Sequence, residues 1–215
     1  MTRDLRAKIV RERLDIFLAR HASDVRIVDI GSGNSSYNRH FPNRIAVDID
    51  PARKPDIIGD AHNLPFRDGE VEAILSTDVC EHLKDPVKAV SEMHRVLKPG
   101  GKVIFTTRFI FPIHDAPNDF WRFTKYGLRE LFKDFEILEL EPETTNFSTL
   151  AVLLQRMGYQ TKLRFNKPTK FLLFLIARIL TSCNGLIREE YGDIGRKTKE
   201  SGMLASGYYL VARKK

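Results

Sequence analysis

The 215-residue chain has two cysteines, Cys80 and Cys183. That is too few for a disulfide scaffold, and the two are too far apart for a zinc-binding pair, so a reducing compartment is expected and no metal is implied. Also missing is any apolar run of the about 20 residues that a bilayer-spanning helix needs. The start, Met1-Thr2-Arg3-Asp4-Leu5-Arg6, lacks the apolar core of a secretion signal, and a cytoplasmic protein is expected. Acidic residues are absent from one long window. None lies between Glu143 and Glu189, whereas Arg156, Lys162, Arg164, Lys167, Lys170, Arg178 and Arg188 all do, and these seven bases equal the formal net charge of +7. An anionic partner would therefore meet this segment, the rest of the chain being balanced.

What is present is organised around Arg26-Ile27-Val28-Asp29-Ile30-Gly31-Ser32-Gly33, followed by Ile45-Ala46-Val47-Asp48-Ile49-Asp50. An apolar β-branched run ending in Gly-x-Gly, then a second ending in an acid, is the pattern of a βαβ unit with a nucleoside at its edge. Gly31 and Gly33 free the backbone to approach a ligand. Asp48 offers two acceptor oxygens to the two ribose hydroxyls, with Asp50 as the competing acid. Ser36 stands where a dinucleotide fingerprint has its third glycine, which counts against NAD.

Further on come a short strand ending in Gly59-Asp60-Ala61-His62-Asn63-Leu64-Pro65-Phe66, a fourth strand Val71–Ser76 with the exit Thr77-Asp78-Val79-Cys80-Glu81-His82-Leu83, and a helix capped by Asp85-Pro86. That helix runs to Leu97 with Val87, Val90, Met93 and Leu97 as its buried face, and Lys98-Pro99-Gly100-Gly101 turns into a fifth strand, Lys102–Thr107. Cys80 reads as a small buried residue.

Residues Val25–Phe109 resemble the class I S-adenosylmethionine-dependent methyltransferases of the type 11 group, which is also similar to the ubiquinone/menaquinone C-methylases. The marks are Gly59-Asp60-Ala61-x-x-Leu64-Pro65-Phe66, Glu81-His82 and Arg95-Val96-Leu97-Lys98-Pro99-Gly100-Gly101. One departure is Ser35, in place of the family's third glycine, which narrows the loop. The resemblance implies an α/β, Rossmann-like sheet of seven strands, mostly parallel with an antiparallel last strand, and helices on both faces. It implies S-adenosyl-L-methionine as cofactor, bound by Asp29, Gly31, Ser32, Gly33, Asp48, Ile49, Asp60, Ala61, Thr77, Asp78 and His82.

The stretch Phe109–Thr124 is too long and too rich in functional groups for a plain connector, and an exit loop of an open α/β sheet borders the substrate. It resembles the His-x-x-Pro-x-Asp-x-x-Arg-x-Thr signature of a bacterial type 11 subgroup. His114 is the candidate base, oriented by Asp115 or Asp119. The alternative is that Asp119 pairs with Arg122 to staple the loop, Thr124 caps a helix Lys125–Phe132, and His114 fills a gap.

A single domain, 1–215, is expected, opened by an amphipathic helix within residues 1–22 carrying Leu5, Ile9, Phe17 and Leu18. Phe135–Leu140 and Gly207–Arg213 read as strands six and seven, separated by a helical insertion, 141–206, with helices at Phe147–Met157 and Lys170–Leu180 and a polar, mobile return over Glu189–Glu200. The second of these helices is interrupted by Arg178 and edged by bases. It reads either as a core helix or, over residues 162–188, as one lying in an anionic membrane surface, giving a peripheral protein at the inner face of a membrane.

The expected function is methyl transfer to a small-molecule, lipid, lipid-linked or saccharide acceptor. A catalytically silent cofactor-binding module docked on a membrane or a biosynthetic partner is a second reading. An RNA methyltransferase is a third, weakened because the basic segment is aliphatic and the fourth-strand exit lacks an Asn-Pro-Pro-Tyr type of motif, so a nucleic-acid partner is not expected. No feature of the chain specifies an oligomeric state.

Overall fold

A computed structural model describes residues 5–34, 37–195 and 198–215. Met1–Asp4 and the two positions that break the glycine pattern, Ser35 and Ser36, lie outside the described residues. The strands are β1 (Ile27–Ile30), β2 (Arg44–Asp48), β3 (Ile57–Ile58), β4 (Val71–Thr77), β5 (Leu97–Arg108), β6 (Phe135–Pro142) and β7 (Gly207–Lys214). The helices are α1 (Ile9–Arg20), α2 (Pro86–Val96), α3 (Lys125–Leu131), α4 (Asn146–Gln160) and α5 (Asn166–Ser182).

The strands form one sheet in the order β3-β2-β1-β4-β5-β7-β6. β1 pairs in parallel with β2 and with β4, β2 with β3, and β4 with β5, while the last strands run antiparallel. The Rossmann-like architecture read from the sequence is thus the observed one. All four residues of β1 are buried, which is why the strand reads as β-branched apolar residues on both faces, broken only by the buried Asp29, instead of an alternating pattern. Strand order reverses between β1 and β4, and ligands of open α/β sheets sit beyond the carboxyl ends of the strands at such a point.

Two local expectations change. The buried stripe of α2 begins at Pro86 and continues through Ala89, Val90, Met93 and Val96. Val87, about 100° round the helix from Pro86, falls outside that stripe and is 68% exposed. Leu97 lies in β5, which is longer than expected at both ends. Val71 pairs with Leu97 but Ala73 pairs with Lys102, so Lys98-Pro99-Gly100-Gly101 bulges out of the ladder. Gly100 permits this with φ of +77°, and a Cβ on Gly101 would sit 2.9 Å from the Glu72 carbonyl oxygen.

The chain divides into two compact units. The larger comprises Phe17–Phe109, Ile113–Glu141 and Tyr208–Lys215. Its core includes Ile74, Leu75, Met93, Phe105 and Leu128, and Phe17 stacks on Tyr209 of β7 with ring centroids 4.5 Å apart.

The smaller unit comprises the N-terminal stretch through Ile16, Ile110–Pro112 and Pro142–Gly207. Ile9, Val10, Ala151, Val152 and Ala177 form its core. Gln155 is buried because it is fully used: its carbonyl accepts from Ile9 N at 3.1 Å and its amide donates to Ala7 O at 3.0 Å. Gly158 lies against Phe174, which a Cβ would meet at 2.8 Å. The helices are longer than expected, and Arg178, which interrupts the apolar run of α5, lies within the helix. It donates to Ala7 O at 2.7 Å and pairs with Glu12 at 3.3 Å. The expected return over Glu189–Glu200 carries an antiparallel bridge between Tyr191 and Lys199. Among the described residues no helix is long and apolar enough to cross a membrane.

Candidate active site

The first half of the site lies at the ends of β1 and β2. Gly31 N and Ser32 N both donate to Val47 O, at 2.8 and 3.1 Å. Gly31 has φ of +68°, and a Cβ there would come within 2.5 Å of a Val79 methyl. Its missing side chain therefore makes room for the exit of β4, and not only for a ligand. Gly33 turns with φ of +52° and donates its N–H to Asp48 Oδ2 at 2.8 Å, while Asp50 N donates to Asp48 Oδ1 at 2.9 Å. Asp48 is half-buried, and each of its oxygens keeps a lone pair for a further donor. The competing Asp50 caps the turn that follows, accepting from Ala52 N at 2.9 Å with Arg53 at 3.4 Å.

The neighbouring groups differ in what they leave open. Ser32 Oγ is buried and has no hydrogen-bond partner among the described residues. Asp29 is buried with its carboxylate 2.5 Å from Arg44 Nη1, and burial, against the pull of Arg44, pushes its pKa up to about 7. Ile49 is exposed, Ala61 is buried, and Thr77 Oγ1 lies 3.2 Å from the Tyr37 hydroxyl. Asp60 Oδ1 accepts from His62 N and lies 2.7 Å from His62 Nδ1, which holds its pKa below the usual carboxylate value.

The Leu64-Pro65-Phe66 mark and Arg95 prove to be one hydrogen-bonded unit. Arg95 donates to Leu64 O at 3.1 Å and Phe66 O at 2.9 Å and grips Glu92, whose Oε2 accepts from Leu64 N at 3.1 Å. The Arg95 hydrogen bonds hold the Glu92 carboxyl down to about 2. These residues fix the loop on which Asp60 and Ala61 stand.

The second half lies at the ends of β4 and β5. Asp78 has φ of +55°, and its N–H donates to Thr106 O and Oγ1 at 3.0 and 3.1 Å. Its carboxylate accepts from Thr106 Oγ1 at 2.9 Å and pairs with Arg108. Glu81 is fully buried. Its Oε2 accepts from Thr107 Oγ1 at 2.8 Å, while Oε1 has no hydrogen-bond partner among the described residues and lies 4.0 Å from both Arg108 Nε and His114 Nε2. Burial, reinforced by Asp78, pushes the Glu81 carboxyl up to about 8. Burial likewise raises the Cys80 thiol, which is inert in this setting.

The exit loop of β5 is fastened across this cluster. Phe120 N and Trp121 N donate to Glu81 O at 2.8 and 3.1 Å, and Trp121 Nε1 donates to Leu83 O at 2.8 Å. Asp119 grips Arg122 with both oxygens at 2.5 and 2.8 Å and accepts from His114 N at 2.9 Å. The Arg122 hydrogen bonds drive its pKa far below the usual value. The His114 ring presents Nδ1 to Asp119 Oδ2 at 3.2 Å and packs edge-on to His82, centroids 4.8 Å apart. His82 Nδ1 lies 2.7 Å from Asn118 O.

Of the residues expected to act, Asp78, His82, His114 and Asp119 are thus brought together, whereas Asp115 is exposed and the place beside the imidazole belongs to Asp119. The Asp119–Arg122 staple and the Thr124 cap, which accepts from Gly127 N at 3.1 Å, both exist alongside that arrangement. Sequence reasoning gave no site role to Glu81, Thr106, Thr107 or Arg108. The signal was present: an apolar strand, Val103-Ile104-Phe105, that ends in three polar residues which are nevertheless buried.

Residues 28–105 match a family described as a methyltransferase domain. A demethylmenaquinone methyltransferase of Renibacterium salmoninarum is 31% identical over 93 residues, 37% of this chain and 39% of that protein. The matches span less than half the length of such curated relatives. Among solved structures, the [4+2]-cyclase SpnF superposes with a TM-score of 0.60 at 18% identity, covering 94% of this chain and 81% of the cyclase. Phosphoethanolamine N-methyltransferase 2 of Haemonchus contortus, in complex with S-adenosyl-L-methionine, superposes with a TM-score of 0.56 at 17% identity, covering 94% of this chain and 52% of that one. The fold is shared by both, and a cyclase among them means that fold alone does not name a reaction. The sequence match is more specific: residues 28–105, which hold the Gly31 turn, Asp48, Asp60 and the Asp78–His82 exit, are similar to the methyltransferase domains of the type 11 group.

Proposed function

We propose that the protein transfers a methyl group from S-adenosyl-L-methionine to a small-molecule, lipid or lipid-linked acceptor. The observation that carries this reading is the Gly33 N to Asp48 Oδ2 bond of 2.8 Å, within a matched methyltransferase segment and beside the point where strand order reverses. It holds a carboxylate where a ribose would meet it, and the unpartnered buried Ser32 hydroxyl gives the same crevice a polar group still to be satisfied.

The cofactor brings a methyl group already activated on a sulfonium, so the protein's share is positioning and exclusion of water, with orientation alone supplying about 7–11 kcal/mol in favourable cases. Asp48 and the Gly31–Gly33 turn grip the nucleoside. Acceptor activation falls to the second half of the site, where Asp119 accepts from the His114 backbone N–H and the imidazole lies beside Glu81 and His82. The Phe120 and Trp121 backbone N–H groups tie the loop to the Glu81 carbonyl.

A lipid acceptor has its own support in the smaller unit. On α5 and just before it, Phe165, Leu172, Ile176 and Ile179 recur at helical spacing and are all exposed, with Phe171 alongside. Lys162, Arg164, Lys167 and Lys170 flank them in a window free of acids, a pairing of apolar ridge and basic rim that fits an anionic phospholipid surface. Co-sedimentation is expected with phosphatidylglycerol vesicles and not with phosphatidylcholine vesicles, and Leu172→Glu with Ile179→Glu is expected to abolish it. Retention of binding in that double variant would end the membrane reading.

The transferase reading is tested by incubating the protein with methyl-labelled S-adenosylmethionine and fractionated cell extract. Label in the lipid or small-metabolite fraction is expected. Cofactor binding without label in any fraction would favour the silent module, and label in nucleic acid the RNA enzyme.

A further inference from the structure

We infer that Glu81, His82 and His114 form a binding site for a divalent transition-metal cation. One potential ligand atom from each residue lies within 4.8 Å of the other two. Ligands held at about 2.0–2.2 Å from a common tetrahedral metal stand roughly 3.3–3.6 Å apart, so the widest pair has to close by up to about 1.5 Å, which side-chain rotation can supply.

Three independent features point the donors inward. His82 Nδ1 lies 2.7 Å from Asn118 O, an oxygen that can only accept, so Nδ1 carries the proton and Nε2 presents a lone pair. His114 Nδ1 lies 3.2 Å from Asp119 Oδ2, close to that carboxylate but outside hydrogen-bond geometry, and Nε2 faces Glu81 Oε1 at 4.0 Å. Metal-bound histidines are characteristically held in this way, by a carbonyl or carboxylate on the far nitrogen. Glu81, fully buried, has Oε2 satisfied by Thr107 and Oε1 without a hydrogen-bond partner among the described residues. A cation between these three atoms would satisfy the unpartnered Glu81 oxygen and both imidazole lone pairs at once. The nearest fixed positive group, Arg108, is 4.0 Å from Glu81 Oε1 and pairs with Asp78.

Two imidazoles and one carboxylate suit zinc, manganese, iron, cobalt or nickel, whereas magnesium and calcium prefer all-oxygen ligand sets. Three protein ligands leave coordination positions open, and an oxygen-bearing acceptor could take one. The cation site stands on the side-chain geometry and not on the transferase reading, so either can fail alone.

The test is calorimetric titration of the chelator-stripped 215-residue chain with CoCl2, followed in parallel by visible absorption. One equivalent of Co2+ is expected to bind, with cobalt d–d bands, and MgCl2 at the same concentrations is expected to give no heat. His82→Ala and His114→Ala should each weaken Co2+ binding by at least about tenfold, and Asp119→Asn by less. His62→Ala, on a separate His–Asp pair, should leave it unchanged. Glu81→Gln should also lose the site, and because this residue is buried its folding is checked by circular dichroism, with the half-buried His82→Ala carrying the decision if it unfolds. Absence of Co2+ binding up to 1 mM (about the weak limit for a functional site), or binding unaltered in His82→Ala and His114→Ala, would overturn the inference. His114 would then stand as an unligated base.

Discussion

The two ends of the site are built from different materials. At the β1–β2 end, most of the working groups are backbone: Gly33 N and Asp50 N hold one carboxylate that stays half open. At the β4–β5 end, they are side chains drawn from Asp78 to Arg122, several fully buried, with Asp78–Arg108 and Asp119–Arg122 paired and one Glu81 oxygen left without a hydrogen-bond partner among the described residues. A nucleoside is the same in every turnover and can be met by amides and one acid. An acceptor differs between enzymes and is met by variable side chains set on a rigid sheet.

That contrast makes the largest effects separable. Asp48→Ala removes the open carboxylate, and losing two charge-assisted hydrogen bonds is expected to weaken S-adenosylmethionine binding by about 100-fold or more in calorimetry. Near-normal affinity would put the ribose elsewhere. Asp119→Ala strikes the other end. It leaves Arg122 without its partner and frees the His114 amide, for an expected stability loss of about 3 kcal/mol. Because Asp119 lies at the β4–β5 end, away from Asp48, cofactor affinity is expected to stay within about threefold, well inside 1 kcal/mol. A large loss of affinity there would show that the two ends are not independent.

Legibility in the sequence follows the same division. The glycine turn, the acid and the flanking strands could be read because backbone chemistry leaves a fixed trace: only glycine takes the turn, and only a buried parallel strand is apolar throughout. Asp50 stands before Pro51, where an acid caps a turn, and it does so here. Glu81 was visible in the Glu81-His82 pair, but its burial was not, since nothing local says that Phe120 and Trp121 will close over it. The choice of Asp119 over Asp115 beside His114 depends on how a sixteen-residue loop folds back, which has no sequence period to reveal it. Val87 misled because an apolar residue next to a cap was counted into the buried stripe.

Asp29 offers a smaller effect, read through pH. Its pKa of about 7 is raised above the unfolded value near 3.9, so the stability it contributes is complete below about pH 4 and is lost as pH rises through about 7. Asp29→Asn cannot ionise and is expected to remove about 2 kcal/mol of the fall between pH 5 and pH 7, measured by denaturant unfolding at each pH. An unchanged slope would mean that Arg44 keeps Asp29 charged throughout. The β1 end would then resemble the other end, with its own buried ion pair.

The smallest expected effect asks how far the second end depends on its loop being anchored. Thr124 closes that loop and starts α3, its hydroxyl accepting from Gly127 N, and α3 is held to the core by Leu128. Thr124→Ala is expected to cost about 1 kcal/mol, seen as a drop in melting temperature. Asp119–Arg122 and the Phe120 and Trp121 bonds to Glu81 lie closer to the cluster and remain in the variant, so Co2+ affinity is expected to be unchanged. If Co2+ affinity fell with stability, the cluster would depend on the whole length of the loop, and the side-chain end would be no more rigid than the segment that covers it.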